Sequence, residues 1–180
     1  MSDVGKFLRK KCLERGIPLI NIVRQSEQVD KIKAEGSPYV LNSNDPLFTK
    51  NLRELAHELG ATIAFECVAG ETAGKVFNSL PERGVVYVYG SLSLKMISEI
   101  HPSELIFKQK TIQGFHLVNS FLKNRRVSDF EVELKADFKK GMLGSKYQKI
   151  VTLKELDESL AEYSSSLGNG KLLINLMSKP

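Results

Sequence analysis

Short β-branched runs alternate with helix-forming stretches along this chain, and that rhythm restricts the fold more than any other feature. Residues 19–23 (Leu-Ile-Asn-Ile-Val) read as a strand, and Ser26 caps a helix that ends at Gly36. Residues 39–41 form a second, short strand. Asp45 followed by Pro46 opens a helix with Leu52, Leu55, Ala56 and Leu59 on one face and Gly60 at its end. Residues 61–68 are a third strand, 71–80 a helix that stops near Pro81 and Gly84, and 85–89 a fourth strand closed by Gly90. A further strand spans 111–117, and a long helical region runs over 118–140. Thr152 and Glu155 make a capping box that opens a helix to Ser165, and 171–176 is a last strand. Such alternation builds a parallel sheet with helices on both faces, and near-continuous apolar strands suit burial on two sides. The fold class is therefore α/β, with a Rossmann-type parallel sheet.

A chain of 180 residues has the size of one domain and can bury a substantial core. No apolar run approaches the roughly 20 residues of a membrane span. Residues 1–16 carry Asp3 and Glu14 and lack the apolar region of a signal peptide. A net charge of +5 invites a nucleic-acid reading. Against it, the cationic residues are spread along the chain. The densest group (Lys6, Arg9, Lys10, Lys11, Arg15) fits the solvated face of one helix, with no aromatic-rich binding motif beside it. Nucleic acid is thus not an expected partner, nor is a membrane. Cys12 and Cys67 stand far apart with no Cys/His cluster, so no metal is expected and the compartment reads as reducing. Cys67, inside an apolar run, reads as a small buried hydrophobe.

Ligands on such sheets bind beyond the carboxyl ends of the strands. Those ends carry Arg24, then Val68, Ala69 and Gly70, then Tyr89, Gly90 and Ser91, then Gly114 and Phe115. Recurrent glycine there either lets a ligand approach the backbone or merely turns the chain. Arg24 is more specific. Where an NAD site has an acid after the second strand to bond the ribose 2′-hydroxyl, an arginine instead accepts the 2′-phosphate of NADP. The segment Ile22-Val23-Arg24-Gln25-Ser26 has no acid at the strand end, and a guanidinium grips phosphate with two parallel bonds. The N–H groups that open the next helix add to such a site. An ordinary surface arginine is the alternative.

Five segments carry a wider likeness: residues 16–24 (Gly-Ile-Pro-Leu-Ile-Asn-Ile-Val-Arg), 65–71 (Phe-Glu-Cys-Val-Ala-Gly-Glu), 84–91 (Gly-Val-Val-Tyr-Val-Tyr-Gly-Ser), 111–115 (Thr-Ile-Gln-Gly-Phe) and 170–172 (Gly-Lys-Leu). In order and spacing they resemble the cofactor domain of the medium-chain dehydrogenase/reductase superfamily. The nearest branch is its zinc-free quinone oxidoreductase and mitochondrial enoyl thioester reductase group. The resemblance covers essentially the whole chain. It implies an NADP(H) cofactor and hydride transfer to a quinone or an α,β-unsaturated carbonyl. It also matches residues 2–5 to the tail of the family's glycine-rich turn, which places Val4 and Gly5 at the cofactor.

Two departures qualify the likeness. No segment matches the family's GroES-like first domain or its first Rossmann strand, so 1–180 reads as a single NAD(P)-binding domain, the C-terminal half of such an enzyme. Glu66 and Ala69 stand where relatives often have Asp and Gly. Two functional readings stay open. One is an NADPH-dependent oxidoreductase or a fragment of it, without turnover as an isolated chain. The other is a non-catalytic nucleotide-binding or interaction module. No catalytic acid is identified: His57 and His101 read as structural, and only His116 follows a cofactor-proximal strand end. Without the first strand, residues 17–23 and 61–68 each lose a partner; bare edges favour association, unless the two strands close on one another. The family implies a homodimer through strand 111–117. The expected compartment is the cytoplasm, or the mitochondrion if a further N-terminal part exists.

Overall fold

The computed structural model describes residues 2–122, 126, 128–165 and 170–177, without the side chains of 120–122. In chain order its elements are α1 (Asp3–Glu14), β1 (Asn21–Val23), α2 (Ser26–Ala34), β2 (Val40–Asn42), α3 (Phe48–Glu58), β3 (Ile63–Glu66) and α4 (Gly70–Ser79). There follow β4 (Val85–Val88), α5 (Pro102–Ile106), β5 (Thr111–Gly114), a π-helical turn (Leu117–Leu122) and α6 (Ser128–Lys139). The chain closes with β6 (Tyr147–Thr152), a 3-10 turn (Leu153–Glu155), α7 (Leu156–Ser165) and β7 (Lys171–Asn175). They fall into two compact units, Ile17–Asp129 and a second made of Met1–Gly16 with Phe130–Pro180.

In the unit Ile17–Asp129 every strand pairing is parallel. Ile22 of β1 lies opposite Leu41 of β2, Ala64 of β3 opposite Val86 of β4, and Val86 opposite Ile112 of β5. The ladders form two sheets, β1-β2 and β3-β4-β5, and among the described residues none joins β1 to β3. The direct closure of those two strands is therefore not formed. The parallel α/β arrangement is that of a Rossmann-like fold. A shared helical layer unites the two sheets. Phe48 and Leu52 of α3, Val76 and Phe77 of α4, and Leu80 and Val86 form the buried core. Ile22, Leu41, Ala64, Val88 and Ile112 pack on it from the strands. Each fully buried side chain of that core contributes about 1.5–3 kcal/mol when taken out of water.

The strands are buried less evenly than their apolar runs suggest. Along β3, Ala64 packs on the core and Glu66 is buried, while Ile63 and Phe65 are 57% and 54% exposed. Phe65 instead stacks on Tyr87, with ring centroids 6.0 Å apart. The expectation of burial on both faces fails at this strand.

Helix starts also differ from expectation. Gln25 is the N-cap of α2 and makes no side-chain cap; Ser26 is its first helical residue. At Asp45-Pro46 the aspartate does cap, accepting the Leu47 N–H at 2.8 Å, but it closes a turn and α3 begins only at Phe48. α5 has no counterpart in the sequence reading; His101 caps it by accepting the Ser103 N–H on Nδ1 at 3.3 Å. The carbonyls of Phe77 and Asn78, near the end of α4, accept from the Lys110 ammonium at 3.3 and 3.1 Å. Lys110 has no exposed side chain and is paired with Glu104, which also binds Lys108 at 2.9 Å.

In the other unit, α1 keeps Lys10 and Arg15 on a solvated face, as its composition suggests, but buries Arg9. Arg9 is 5% exposed. Lys11 bonds Asp137 at 2.8 Å, Lys10 the Gly141 carbonyl at 2.9 Å, and Arg15 Glu133 at 3.0 Å. Lys11 and Arg15 thus pair at the surface with α6, and Lys10 with the turn after it. β6 and β7 pair in parallel with an irregularity between Tyr147 and Lys149. The capping box forms: Thr152 donates its N–H to Glu155 at 2.8 Å. Of the anticipated helix over 118–140, residues 123–125 and 127 lie outside those described; the rest is the π-helical turn and α6.

Candidate functional site

Parallel strands of one sheet end on the same side, so the residues after β3, β4 and β5 lie together. The turn from β3 to α4 is built by Glu66. Its buried carboxylate accepts the Val68 N–H at 2.7 Å and the Ala69 N–H at 2.9 Å. This clamp holds Ala69 at φ +66°, ψ −158°, a conformation that is essentially glycine's. The residue that departs from the expected glycine thus keeps a glycine's backbone. Val68 has little left for a ligand: its N–H goes to Glu66 and its carbonyl accepts from Ser93 at 2.9 Å.

The segment after β4 crosses this turn. Leu92 donates to the Cys67 carbonyl at 2.9 Å, and Ser98 to the Gly70 carbonyl at 3.4 Å. Gly90 eases that crossing, because a Cβ there would stand 3.1 Å from Cys67 Cβ and 3.2 Å from its carbonyl oxygen, tighter than ordinary contact. Its glycine serves chain against chain. Gly114 is the contrasting case: a Cβ there would meet nothing within 4 Å, so the end of β5 is open. Phe115 next to it is partly exposed, and its N–H continues the ladder to Val88 at 2.8 Å. Ser91 is exposed. Burial, and the hydrogen bond with Cys67, push the Tyr89 phenol well above its ordinary range. Cys67 itself is half-buried, less enclosed than expected.

At the end of β1, Arg24 is exposed, and among the described residues no carboxylate pairs with it. Asn44 holds its backbone, donating Nδ2–H to the Arg24 carbonyl at 2.8 Å. Asn42 donates to the Ser26 hydroxyl at 3.2 Å. These asparagines were not singled out from the sequence, although Asn42-Ser43-Asn44-Asp45 is the composition of a side-chain-stabilised turn.

Arg24, Val68, Gly70, Tyr89, Gly90, Ser91, Gly114 and Phe115 thus share one unit at its strand ends. Val4 and Gly5 lie in the other unit, within the first turn of α1, where Gly5 donates its N–H to Ser2 Oγ at 3.2 Å. His57 is exposed on α3, His101 caps α5, and His116 accepts the Asn119 N–H at 3.4 Å.

Comparison with known proteins supplies the deciding observation: the family described as zinc-binding dehydrogenase matches residues 4–134. The chain belongs to that family. A mitochondrial enoyl-[acyl-carrier-protein] reductase of Arabidopsis thaliana is 32% identical over 133 residues, 71% of this chain and 35% of that protein. One from Dictyostelium discoideum is 27% identical over 184 residues, 97% of this chain and 51% of that protein. A crystal structure assigned as an NADPH:quinone reductase, from Mesorhizobium loti, superposes with a TM-score of 0.76 at 30% identity, covering 91% of this chain and 47% of that one. The chain therefore spans between about a third and a half of these relatives. The medium-chain dehydrogenase/reductase resemblance of the sequence holds.

The family's zinc finds no seat in the described residues. No group of three or more His, Cys, Asp or Glu side chains there could hold a metal ion. None of the described helices is long and apolar enough to cross a membrane.

Proposed function

We propose that this chain is the NADP(H)-binding domain of a zinc-independent oxidoreductase, within a longer protein that reduces a quinone or an α,β-unsaturated carbonyl such as an enoyl thioester. The observation that carries the cofactor choice is the corner after β1. There an exposed, unpaired arginine precedes a helix whose first turn has no side-chain cap. Cation and free N–H groups together suit a phosphate dianion. The names of the relatives support the reaction class.

When bound, the cofactor supplies the hydride chemistry, and the protein binds and orients it. Arg24 would hold the 2′-phosphate. Gly70, Tyr89, Gly90, Ser91, Gly114 and Phe115 would line the strand ends. The cofactor assignments of Val4, Gly5 and Val68 belong to the same proposal, Val68 by its side chain. A homodimer through the open edge of β5 is part of the reading.

Titration of NADPH and NADH into the chain tests the cofactor choice. Wild type is expected to prefer NADPH, and Arg24→Ala to lose about 1.5–3 kcal/mol of that preference. Equal affinities in wild type would refute it. The non-catalytic alternative draws on the histidines, two of which accept backbone N–H bonds in their own turns. Saturable quinone or enoyl reduction by the 180-residue chain would rule that alternative out.

A further inference from the structure

We infer that Glu66 is the latch of a strap: the segment after β4 stays docked across the turn after β3 only while the Glu66 carboxylate holds Ala69 in its strained backbone. The latch stands on the geometry of the turn and does not depend on the cofactor reading.

Two peptide planes carry the coupling. In the plane between Cys67 and Val68, the N–H donates to Glu66 Oε1 at 2.7 Å and the carbonyl accepts the Leu92 N–H at 2.9 Å. In the plane between Val68 and Ala69, the N–H donates to Glu66 Oε2 at 2.9 Å and the carbonyl accepts the Ser93 N–H at 2.9 Å. Each plane is thus gripped on one side by the carboxylate and on the other by the crossing segment. A peptide plane is rigid, so turning its N–H away from Glu66 also turns its carbonyl away from Leu92 or Ser93. The clamp and the docking are made or lost together.

Strain at Ala69 drives the turn to relax. Its φ of +66° and ψ of −158° disfavour any residue with a Cβ, and the buried carboxylate offsets this with two charge-assisted bonds. Little else retains the middle of the crossing segment. Leu92, Leu94 and Met96 are 75%, 91% and 89% exposed, so their side chains add little packing. Leu94 is itself at φ +55°, in a turn closed by its N–H on the Ser91 carbonyl at 3.0 Å. The far end is fastened separately. Asn78 of α4 donates Nδ2–H to the Glu99 carbonyl at 2.6 Å, and its side-chain oxygen accepts the His101 N–H at 3.3 Å. Loss of the clamp therefore frees residues 92–96 while 99–101 stay tied to α4. The segment is then a strap held at both ends, bordering the strand ends at Ser91.

Amide hydrogen exchange at Leu92 and Ser93 reads the latch on the full chain, and limited trypsin digestion reads it again at Lys95, which is exposed within the strap. Glu66→Gln keeps the size of the side chain, but its amide nitrogen can only donate, so one of the two N–H groups loses its acceptor. The variant is expected to speed exchange at both amides, and cleavage after Lys95, about tenfold or more, as for one hydrogen bond to a charged group. Exchange at His101 and along α4 should not change. Adding Ala69→Gly to Glu66→Gln is expected to return both readings to the wild-type level, because glycine takes up the turn without a clamp. A glutamate that served only general stability would not be rescued this way. Wild-type exchange at Leu92 and Ser93 in Glu66→Gln, equal acceleration along the whole chain, or no rescue by Ala69→Gly would each overturn the inference. If Glu66→Gln does not fold, Ala69→Gly alone decides: slower exchange at both amides supports the latch, and exchange as fast as wild type or faster refutes it.

Discussion

Gly74→Ala sets two effects of opposite sign against each other. Gly74 sits inside α4, where replacing glycine by alanine ordinarily stabilises a helix by up to about 1 kcal/mol. Here an added Cβ would stand 1.9 Å from the Ser98 carbonyl oxygen, 3.0 Å from its carbon and 3.1 Å from the Glu99 carbonyl carbon. Ordinary contact needs the segment to retreat by roughly 1 Å or more. Three bonds resist that retreat: Asn78 Nδ2 to the Glu99 carbonyl at 2.6 Å, the His101 N–H to Asn78 Oδ1 at 3.3 Å, and the Ser98 N–H to the Gly70 carbonyl at 3.4 Å. Overpacking costs about 1–3 kcal/mol, and losing two of those bonds about 1 kcal/mol each. After the helix gain is subtracted, the variant should be less stable by about 2–4 kcal/mol. Urea unfolding followed by circular dichroism reads this directly. Gly5→Ala is the control: it lies in α1, and the nearest atom to its Cβ is Ser2 Oγ at 3.4 Å. It should be neutral or slightly stabilising. A Gly74→Ala chain as stable as wild type would show that the contact with residues 98–99 does not hold the segment.

Lys110→Met should cost about 3–5 kcal/mol, because it leaves the buried Glu104 carboxylate with only the half-exposed Lys108 and strands the Phe77 and Asn78 carbonyls; adding Glu104→Leu should recover much of the loss in the same melts. Burial works to raise the Glu104 carboxyl, but bonds from Lys110 and Lys108 outweigh it and hold it below its ordinary value of 4.5. Its contribution is therefore present above that value and lost as pH falls through the lower folded one, so Lys110→Met should show a shallower acid loss. Light scattering over a concentration series should show association through the β5 edge; a monomer at every concentration would refute that contact.

The strands of the larger unit were legible because β1, β3 and β4 are runs of Ile, Val and Phe, and Arg24 was legible because no acid stands beside it. β6 was not, since Gln148 and Lys149 interrupt its apolar pattern and its register slips there. The ion pairs of α1 were not legible because their partners are distant in sequence: Lys11 meets Asp137 across 126 positions. The Asn42–Ser26 and Asn44–Arg24 bonds exist only once β1 and β2 are in register, so no local pattern announces them. Ala69 hid a glycine's conformation under an alanine's name; the clamp that enforces it, Glu66 on its next neighbours, was the local signal available.

The central claim is that the corner after β1 binds the 2′-phosphate of NADP(H). A crystal structure of the chain with NADP+ tests it most directly. The account predicts the 2′-phosphate within hydrogen-bond distance of the Arg24 guanidinium. A bound nucleotide with that phosphate remote from Arg24, or no nucleotide at saturating concentration, would contradict it.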